Sequence, residues 1–466
     1  MNFRPGLRLA LMAICLLAGG GYCQFVEDSI QVPGAWVGSL AYNSVQDEVW
    51  GQTWSGNCVF VIRADSNRVV ASIPLTGPFL LGFDSTDNKM YVSYQGAEQD
   101  SLAIIDGATH ATIKRMEMPG ATMPVWDPLS NRLYVSCQYD ARVAVLDCAT
   151  DSLLAYIPVG ACPMKMYINT LRRKLYVLNY DAGSVSIVNM LTNQVIKTVV
   201  VGGNPNAGYY SRSADKFFTG GPNGQCVVVG GLSDTIVARI AMPGTEGVLS
   251  ATGNEQAGVV FTGMVGGNTG YLYVVDAASD SVICAYNLGH EAPWVMSHSP
   301  ASGLLYCGTA GSVDGVLVLA GDGSRILKHL PVGNYPFAFA FANPHRRLYV
   351  GYLSTPYVYV LMDTPGGIAE EASDGDRLQP GIRASPSPFT DVVQIRCSQA
   401  TAARRAVNVF SLAGGIVRTL KPGKAGWWPG GSLCWDGRDE AGRPVPAGVY
   451  LLECGVGNRV KVVRAR

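Results

Sequence analysis

The residues able to do chemistry are scattered along this chain rather than grouped in a catalytic or metal-binding pattern. The five histidines, at 110, 290, 298, 329 and 345, form no HExxH motif. The 12 cysteines include no CxxC pair and no CxxCH haem-attachment sequence, so we expect buried free thiols. No GxSxG elbow, Walker loop or DxDxDG calcium loop is present. We therefore predict no catalytic residue, no metal and no cofactor.

Acidic and amide side chains do recur, at one position of a repeated pattern. Two apolar residues precede each of Asp106, Asp147, Asn189 and Asp276, and Thr or Ser follows three positions later. Such side chains can accept hydrogen bonds from the backbone two residues on and close a tight turn between strands. An enzyme does not need the same acid in most of its repeats. We therefore interpret these residues as structural.

The elements that position these residues form an internal repeat. A run such as "KMYVS" recurs about every 42 residues, which is the length of one four-stranded propeller blade. Its copies are centred on Tyr91, Tyr134, Tyr176, Phe217, Val260, Tyr306 and Tyr349, with a degenerate one at Val49. Connections such as "IPVGACP" and "LPVGNYP" end each unit, because Gly and Pro suit the crossing between blades. The predicted fold class is all-β, with a β-propeller as the main body.

The two ends of the array predict how the ring closes. The last copy has three strand-like runs and no fourth, whereas "EDSIQVPGAW" near Ile30 resembles the fourth run of other copies. An N-terminal strand that completes the last blade would hide two sheet edges. This count predicts eight blades; seven is the alternative if the copy near Gly220 or Val49 is not a true blade.

The motif set resembles the YVTN-type β-propeller repeat family of exported and surface proteins. The resemblance covers residues 25–363 and rests on aromatic-Val, then apolar-apolar-Asp, then Val-Gly-x-x-Pro. After a Gly/Pro-rich acidic linker at 364–381, residues 382–466 predict a small immunoglobulin-like β-sandwich. Its string "WDGRDEAGRPVPAGVYLL" is similar to the hook-capping immunoglobulin-like domains and to type IX secretion sorting domains. The resemblance implies an export and attachment signal or a structural accessory, with Trp435 and Tyr450 as core anchors.

Residues 1–23 are typical of a secretory signal peptide. Arg4 and Arg8 precede an apolar stretch and a run of small residues. No later segment has eighteen consecutive apolar residues, so we predict no transmembrane segment after signal removal. The propeller then occupies residues 24–363 of a secreted or cell-surface protein. With 35 basic and 35 acidic residues, the zero net charge does not favour nucleic acid as a partner.

Large side chains near the start of each blade's inner strand are the candidate ligand contacts. Alignment of the copies places Phe79, Met164, Asn206, Trp294 and Phe337 at comparable positions. Binding pockets are mostly apolar with a few polar groups. The alternative interpretation of these side chains is packing between adjacent blades.

Three hypotheses about function follow. The first is a binding scaffold that contacts an unknown protein or glycan, with possible attachment to the cell envelope. The second is an exported enzyme, such as a lactonase-like hydrolase or quinone-dependent dehydrogenase, for which Asn206, Glu246, Glu291 and Asp127 are the loose ligand candidates. The third is a self-associating surface-layer protein. Without a catalytic motif, we favour binding over enzymatic activity.

Overall fold

The computed structural model divides the chain into two compact units, Met1–Ala372 and Ser373–Arg466. It describes residues 26–95, 100–311, 315–333 and 335–364 of the first unit. In the second unit it describes residues 382–385, 393–397, 407–411, 415–420, 432–446, 448–454 and 459–464. The predicted signal peptide and nearly all of the predicted linker lie outside the described residues.

The described strands of the first unit form eight antiparallel four-stranded sheets, numbered here in chain order. Sheets 1 and 2 contain β2 (Val37–Asn43), β3 (Glu48–Thr53), β4 (Cys58–Arg63), β5 (Arg68–Pro74), β6 (Pro78–Asp84), β7 (Lys89–Gln95), β8 (Asp100–Asp106) and β9 (Thr112–Glu117). Sheets 3 and 4 contain β10 (Ala121–Asp127), β11 (Arg132–Cys137), β12 (Arg142–Asp147), β13 (Ser152–Pro158), β14 (Pro163–Asn169), β15 (Lys174–Asn179), β16 (Ser184–Asn189) and β17 (Gln194–Val200).

The remaining four sheets repeat this order. Sheets 5 and 6 contain β18 (Gly208–Ser211), β19 (Lys216–Gly220), β20 (Gln225–Gly230), β21 (Ile236–Ala241), β22 (Gly247–Asn254), β23 (Val259–Gly266), β24 (Thr269–Asp276) and β25 (Ser281–Asn287). Sheets 7 and 8 contain β26 (Ala292–His298), β27 (Leu305–Ala310), β28 (Gly315–Leu319), β29 (Ile326–Leu330), β30 (Pro336–Ala342), β31 (Arg347–Tyr352), β32 (Tyr357–Met362) and β1 (Val26–Gln31). One 3-10 turn, Asn343–His345, joins β30 to β31.

Burial explains why these runs become strands. The second and third strands of each sheet are almost wholly buried, and their Val, Ile, Leu and aromatic side chains suit a surface covered on both faces. The fourth strands are largely exposed, as in β9 and β17. Successive sheets pack through shared apolar clusters, one of which joins Tyr176 and Val185 of sheet 4 to Phe217 and Val227 of sheet 5. The fold is all-β and of the β-propeller type.

The first strands of the sheets contact one another in chain order, from β2 to β30, and β30 contacts β2. The fourth strand of sheet 8 comes from the N-terminal side: β1 pairs with β32 in antiparallel register, with Ile30 opposite Val358. This is the pairing expected from the sequence, and it covers the open edge of β32. The irregular copies at Val49 and Phe217 both form four-stranded sheets, sheets 1 and 5.

Asx side chains close the turns that the repeat indicated. The Asp106 carboxylate accepts hydrogen bonds from the backbone N–H groups of Ala108 and Thr109, at 3.0 and 2.7 Å. Asp147 and Asp276 accept equivalent bonds from Thr150 and Ser279, at 2.9 and 2.7 Å. The structural interpretation of these acids is confirmed, because their oxygens are occupied by their own turns.

The described part of the second unit has two sheets around one apolar core. The first sheet contains β33 (Ile382–Ser385), β34 (Val393–Cys397) and β37 (Ser432–Trp435). The second contains β35 (Val407–Ser411), β36 (Ile416–Leu420), β38 (Gly448–Cys454) and β39 (Arg459–Arg464). Trp435 and Tyr450 lie in this core with their ring centroids 5.1 Å apart, so both act as the predicted anchors. No helix among the described residues is long and apolar enough to cross a bilayer.

Candidate binding surface

The two ends of each sheet differ in what they expose. The entry end of a sheet, where its first strand begins, also carries the loop between the second and third strands. The exit end carries the other two turns. In neighbouring sheets, the entry ends lie side by side. The Ser93 hydroxyl, near the entry end of sheet 2, donates to the Thr122 carbonyl at the start of β10 at 2.6 Å. The entry ends therefore share one surface, and the exit ends share the opposite one.

A β-bulge near the entry end aims one or two side chains out of seven of the eight first strands. The register between the first and second strands shifts there in every sheet except sheet 5. Bulges re-aim side chains and are common beside functional sites. Four of the five predicted contact residues lie at these bulges: Phe79, Met164, Trp294 and Phe337. The fifth, Asn206, precedes β18 and lies outside any strand.

Side chains of the preceding sheet hold the bulges in place. Gln52 of sheet 1 donates to the Phe79 carbonyl at 3.1 Å, and Ser136 of sheet 3 donates to the Met164 carbonyl at 3.1 Å. Ser250 of sheet 6 donates to the Pro293 carbonyl, next to Trp294, at 2.7 Å. The bulged backbone is therefore fixed before any ligand arrives, which lowers the entropy cost of binding.

The structure brings Trp294 and Phe337 together. Their ring centroids are 6.1 Å apart and tilted by 39°, and the two residues lie on the neighbouring strands β26 and β30. Trp294 is 39% exposed and Phe337 is 38% exposed, although both are large apolar side chains. Packing between sheets, the alternative interpretation, does not bury them. Phe79 and Met164 are half-buried on sheets 2 and 4, away from this pair.

Four further exposed aromatic side chains, which sequence reasoning missed, lie at the entry ends of sheets 8 and 1. Together with Trp294 and Phe337 they form what we call the aromatic sector. The additional members are Trp36, Trp54, Tyr335 and Tyr357. The connections and loops around them, residues 32–36, 54–57, 331–335 and 353–356, contain no Asp, Glu, Lys or Arg. The exit ends expose aliphatic side chains instead, among them Leu191 and Leu232.

Two members of the sector have an unfavourable backbone conformation. Trp36 and Tyr335 have φ of 66° and 57°, in the left-handed region that bulky residues avoid. The same position is occupied by glycine in sheets 2 and 3, at Gly77 and Gly120, with φ of 60° and 72°. The position is equivalent in all four connections, because each carbonyl accepts a hydrogen bond from a backbone N–H group at the end of the second strand. Side chains that are 55% and 46% exposed regain little of this cost by burial.

The polar candidates for an enzymatic centre do not converge. Asp127 lies at the exit end of β10, where Arg173 donates to it at 2.8 Å. Burial alone would raise the pKa of Asp127, but the hydrogen bonds from Arg173 and Ser130 outweigh it and hold the pKa below its ordinary value. Glu246, Glu291 and Asn206 lie at the entry ends of three different sheets. Within the described residues, no group of three or more His, Cys, Asp or Glu could hold a metal ion.

The cysteines behave as buried apolar residues. Cys58, Cys137, Cys148, Cys226 and Cys307 are buried free thiols. Burial raises the pKa of Cys137 to about 11 and that of Cys226 and Cys307 to about 12, so these thiols stay protonated and unreactive at neutral pH. The prediction of buried free thiols is confirmed for these residues.

The fold and this surface define a β-propeller protein with a sector of exposed aromatic side chains at one end. No family model matches the chain. No curated protein matches its sequence either. Among solved structures it is similar to the Kuenenia stuttgartiensis hydrazine synthase, with a TM-score of 0.49 and 13% identity over 73% of this chain and 98% of that chain. A likeness of this degree supports no inference about function.

Proposed function

We propose that the first unit is a single eight-bladed propeller of the YVTN type. In support, eight four-stranded sheets follow one another, their first strands contact in cyclic order, and β1 completes the sheet of β30, β31 and β32. The aromatic-Val and apolar-apolar-Asp motifs fall on the second and third strands of these sheets.

The second part of the proposal concerns location. A signal peptide at residues 1–23 would export the chain, and an immunoglobulin-like second unit would serve export and surface attachment. Two observations on the second unit support its type: its two sheets share one core, and Asp439 closes the predicted loop by accepting from the backbone N–H groups of Ala441 and Arg443 at 3.0 and 2.9 Å.

The propeller itself then serves as a binding scaffold, with the aromatic sector as its contact surface. The observation that carries this is the exposure of Trp294 and Phe337 at two β-bulges, the first of which is held by the hydrogen bond from Ser250 to the Pro293 carbonyl. Exposed aromatic groups clustered on one face of a protein mark interaction sites. Their apolar surface is unfavourably exposed to water, and a partner that covers it gains binding free energy.

Of the two partner classes, a glycan fits the sector better than a protein. Flat aromatic faces stack on the C–H faces of sugar rings, and the exposed Asn57 amide lies on the loop that carries Trp54, where its N–H₂ group can donate to a sugar hydroxyl. The loops around the members on sheets 8 and 1 contain no Asp, Glu, Lys or Arg, and Glu291 is the acidic residue in the connection before Trp294.

Retention on insoluble polysaccharides tests the proposal. The full chain is incubated with cellulose, chitin and starch, and the free fraction is measured by absorbance. We expect saturable binding to at least one polymer and a loss of at least tenfold in affinity for the W294A/F337A double variant, since stacking groups of this kind are worth about 1–3 kcal/mol each.

The matched control removes equally apolar side chains from the opposite surface. The L191A/L232A variant alters two highly exposed leucines at exit ends and should bind like the wild type. Equal loss in both double variants would contradict the assignment of the surface. Absence of binding to all three polymers, together with protein partners that W294A/F337A retains, would contradict the function.

A further inference from the structure

One basic residue stands out among the first strands of the sheets. Among the eight first strands, β14 alone contains a Lys or Arg, and this residue is Lys165. Lys165 follows the Met164 bulge directly and pairs with Leu178 of β15. From Lys165 to Asn169 the register is regular, so its side chain lies on the same face of β14 as that of Tyr167.

That face of β14 is directed at sheet 5. The Tyr167 ring contacts Phe217 of β19, with the ring centroids 5.4 Å apart, and its hydroxyl accepts a hydrogen bond from the Gly208 N–H at 3.0 Å. Met166 and Ile168, on the opposite face, pack into the core shared by sheets 3 and 4. Lys165 therefore points toward the entry end of sheet 5. There β18 has only four residues and begins at Gly208, and residues 204–207 belong to no strand.

The ammonium group of Lys165 has no counter-charge in the described structure. No hydrogen bond or ion pair joins Lys165 to any described residue, and burial, with no contribution from a charge, lowers its pKa. Its side chain is half-buried, so water still reaches the ammonium group.

Three acidic groups near the strands around Lys165 are engaged by other side chains. On β18, the Tyr209 and Tyr210 hydroxyls donate to Glu255 and Asp215, at 2.6 and 2.9 Å. On β15, Lys174 pairs with Asp234 at 2.7 Å. None of these acids forms an ion pair with Lys165. A cation in partly desolvated surroundings without a counter-charge is energetically unfavourable.

An uncommitted amide lies on the facing segment. "VGGNPN" before β18 aligns with "VGACPM" before β14, which places Asn206 at the position of Met164 on the neighbouring sheet. Asn206 is half-exposed, and no hydrogen bond joins its side chain to a described residue. An amide N–H₂ and an ammonium group together are donors suited to one oxyanion.

We infer that Lys165 and Asn206 form a binding site for a small oxyanion, a carboxylate or a phosphate, between the first strands of sheets 4 and 5. The anion provides the negative charge that no described group of the protein provides for Lys165. It also accepts hydrogen bonds from both side chains. A site of this chemistry is separate from the aromatic sector, which occupies sheets 7, 8 and 1.

Thermal unfolding of the full chain in succinate and in inorganic phosphate, with sodium chloride at matched ionic strength as the reference, tests the site. We expect a saturable rise in the unfolding temperature with at least one of the two anions, because a ligand that binds only the folded state stabilises it. The anion that acts identifies carboxylate or phosphate as the ligand group.

Variants assign the effect to Lys165. K165M should lower the affinity for the active anion at least tenfold, and N206A should lower it by about threefold or more. K197M, which alters an exposed lysine on β17 of the same sheet, should bind like the wild type. Without anion, K165M should unfold at the same or a higher temperature, because it removes an unpaired cation; K165Q provides a second neutral variant.

No anion effect beyond that of chloride would overturn the inference, as would an equal effect in K165M and the wild type. Neither result bears on the polysaccharide test, since W294A and F337A leave sheets 4 and 5 unchanged.

Discussion

At the scale of single residues, Trp36 and Tyr335 carry an energetic cost that the folded chain alone does not recover. Their left-handed backbone conformation disfavours a bulky side chain by about 1–2 kcal/mol, and both side chains remain largely in water. Strain of this kind persists where function requires the side chain. We propose that, in the aromatic sector, that requirement is the contact with a partner.

Replacement by glycine separates the effect of these residues on stability from their contribution to binding. W36G and Y335G should each raise the free energy of unfolding by up to about 1 kcal/mol or leave it unchanged. Glycine relieves the strain of the left-handed conformation, but it also loses more conformational entropy on folding, and this loss offsets part of the gain. Both variants should weaken polysaccharide binding. Urea unfolding followed by fluorescence, together with the retention assay, measures the two effects; a variant that lost stability and kept its binding would contradict the assignment.

At the scale of elements, cross-links between neighbouring sheets hold the exit ends together. The Lys174 ammonium, at the start of β15, bonds the Asp234 carboxylate and the Gly231 carbonyl of sheet 5 at 2.7 and 2.8 Å. Sheets 2 and 5 make the same link from Lys89 and Lys216 to the sheets that follow them. Between sheets 8 and 1, the Tyr349 hydroxyl donates to Asn67 at 2.7 Å, so a related bond spans the point where the ring closes.

Loss of one link should destabilise the propeller measurably. K174M should lower the free energy of unfolding by about 1–3 kcal/mol, because it leaves the largely buried Asp234 carboxylate without its cation. K197M on the same sheet should change it by less than about 0.5 kcal/mol. Chemical denaturation of both variants decides the point, and equal stabilities would show that the link contributes little.

The periodic features of these elements were predictable from the sequence. The strands, the Asx turns at Asp106 and Asp147 and the pairing of β1 all repeat or complete a pattern that several copies share. The links from Lys89, Lys174 and Lys216 also repeat, as the basic residue at the start of "KMYVS", "KLYVL" and "KFFTG". Their acidic partners were not predictable as such, because each lies on the next sheet, about 60 residues away.

The features that the sequence did not predict are those that break the pattern. Trp36 and Tyr335 occupy a position that glycine fills in sheets 2 and 3, and only an alignment of these short connections with Gly77 and Gly120 would have signalled them. Lys165 is a single exception among eight first strands, and its lack of a partner is visible only in three dimensions. Trp294 and Phe337 were predicted as contacts, but their proximity across two sheets depends on the bulges.

At the scale of the whole molecule, the proposal requires the two surfaces of the ring to differ in function. The entry ends carry the exposed aromatic groups of sheets 7, 8 and 1, whereas the exit ends carry turns closed by Asx side chains and the links between sheets. One surface is thus available for a partner, and the other stabilises the fold.

Oxidative footprinting of the wild-type chain, with and without the polysaccharide that it binds, tests this division most directly. Tyr156, on the outer strand β13, is a matched internal reference because it is 39% exposed, as is Trp294. The account predicts that the bound polymer protects Trp36, Trp294 and Tyr335 from oxidation and leaves Tyr156 unchanged. Protection of Tyr156 without protection of these three residues would contradict it.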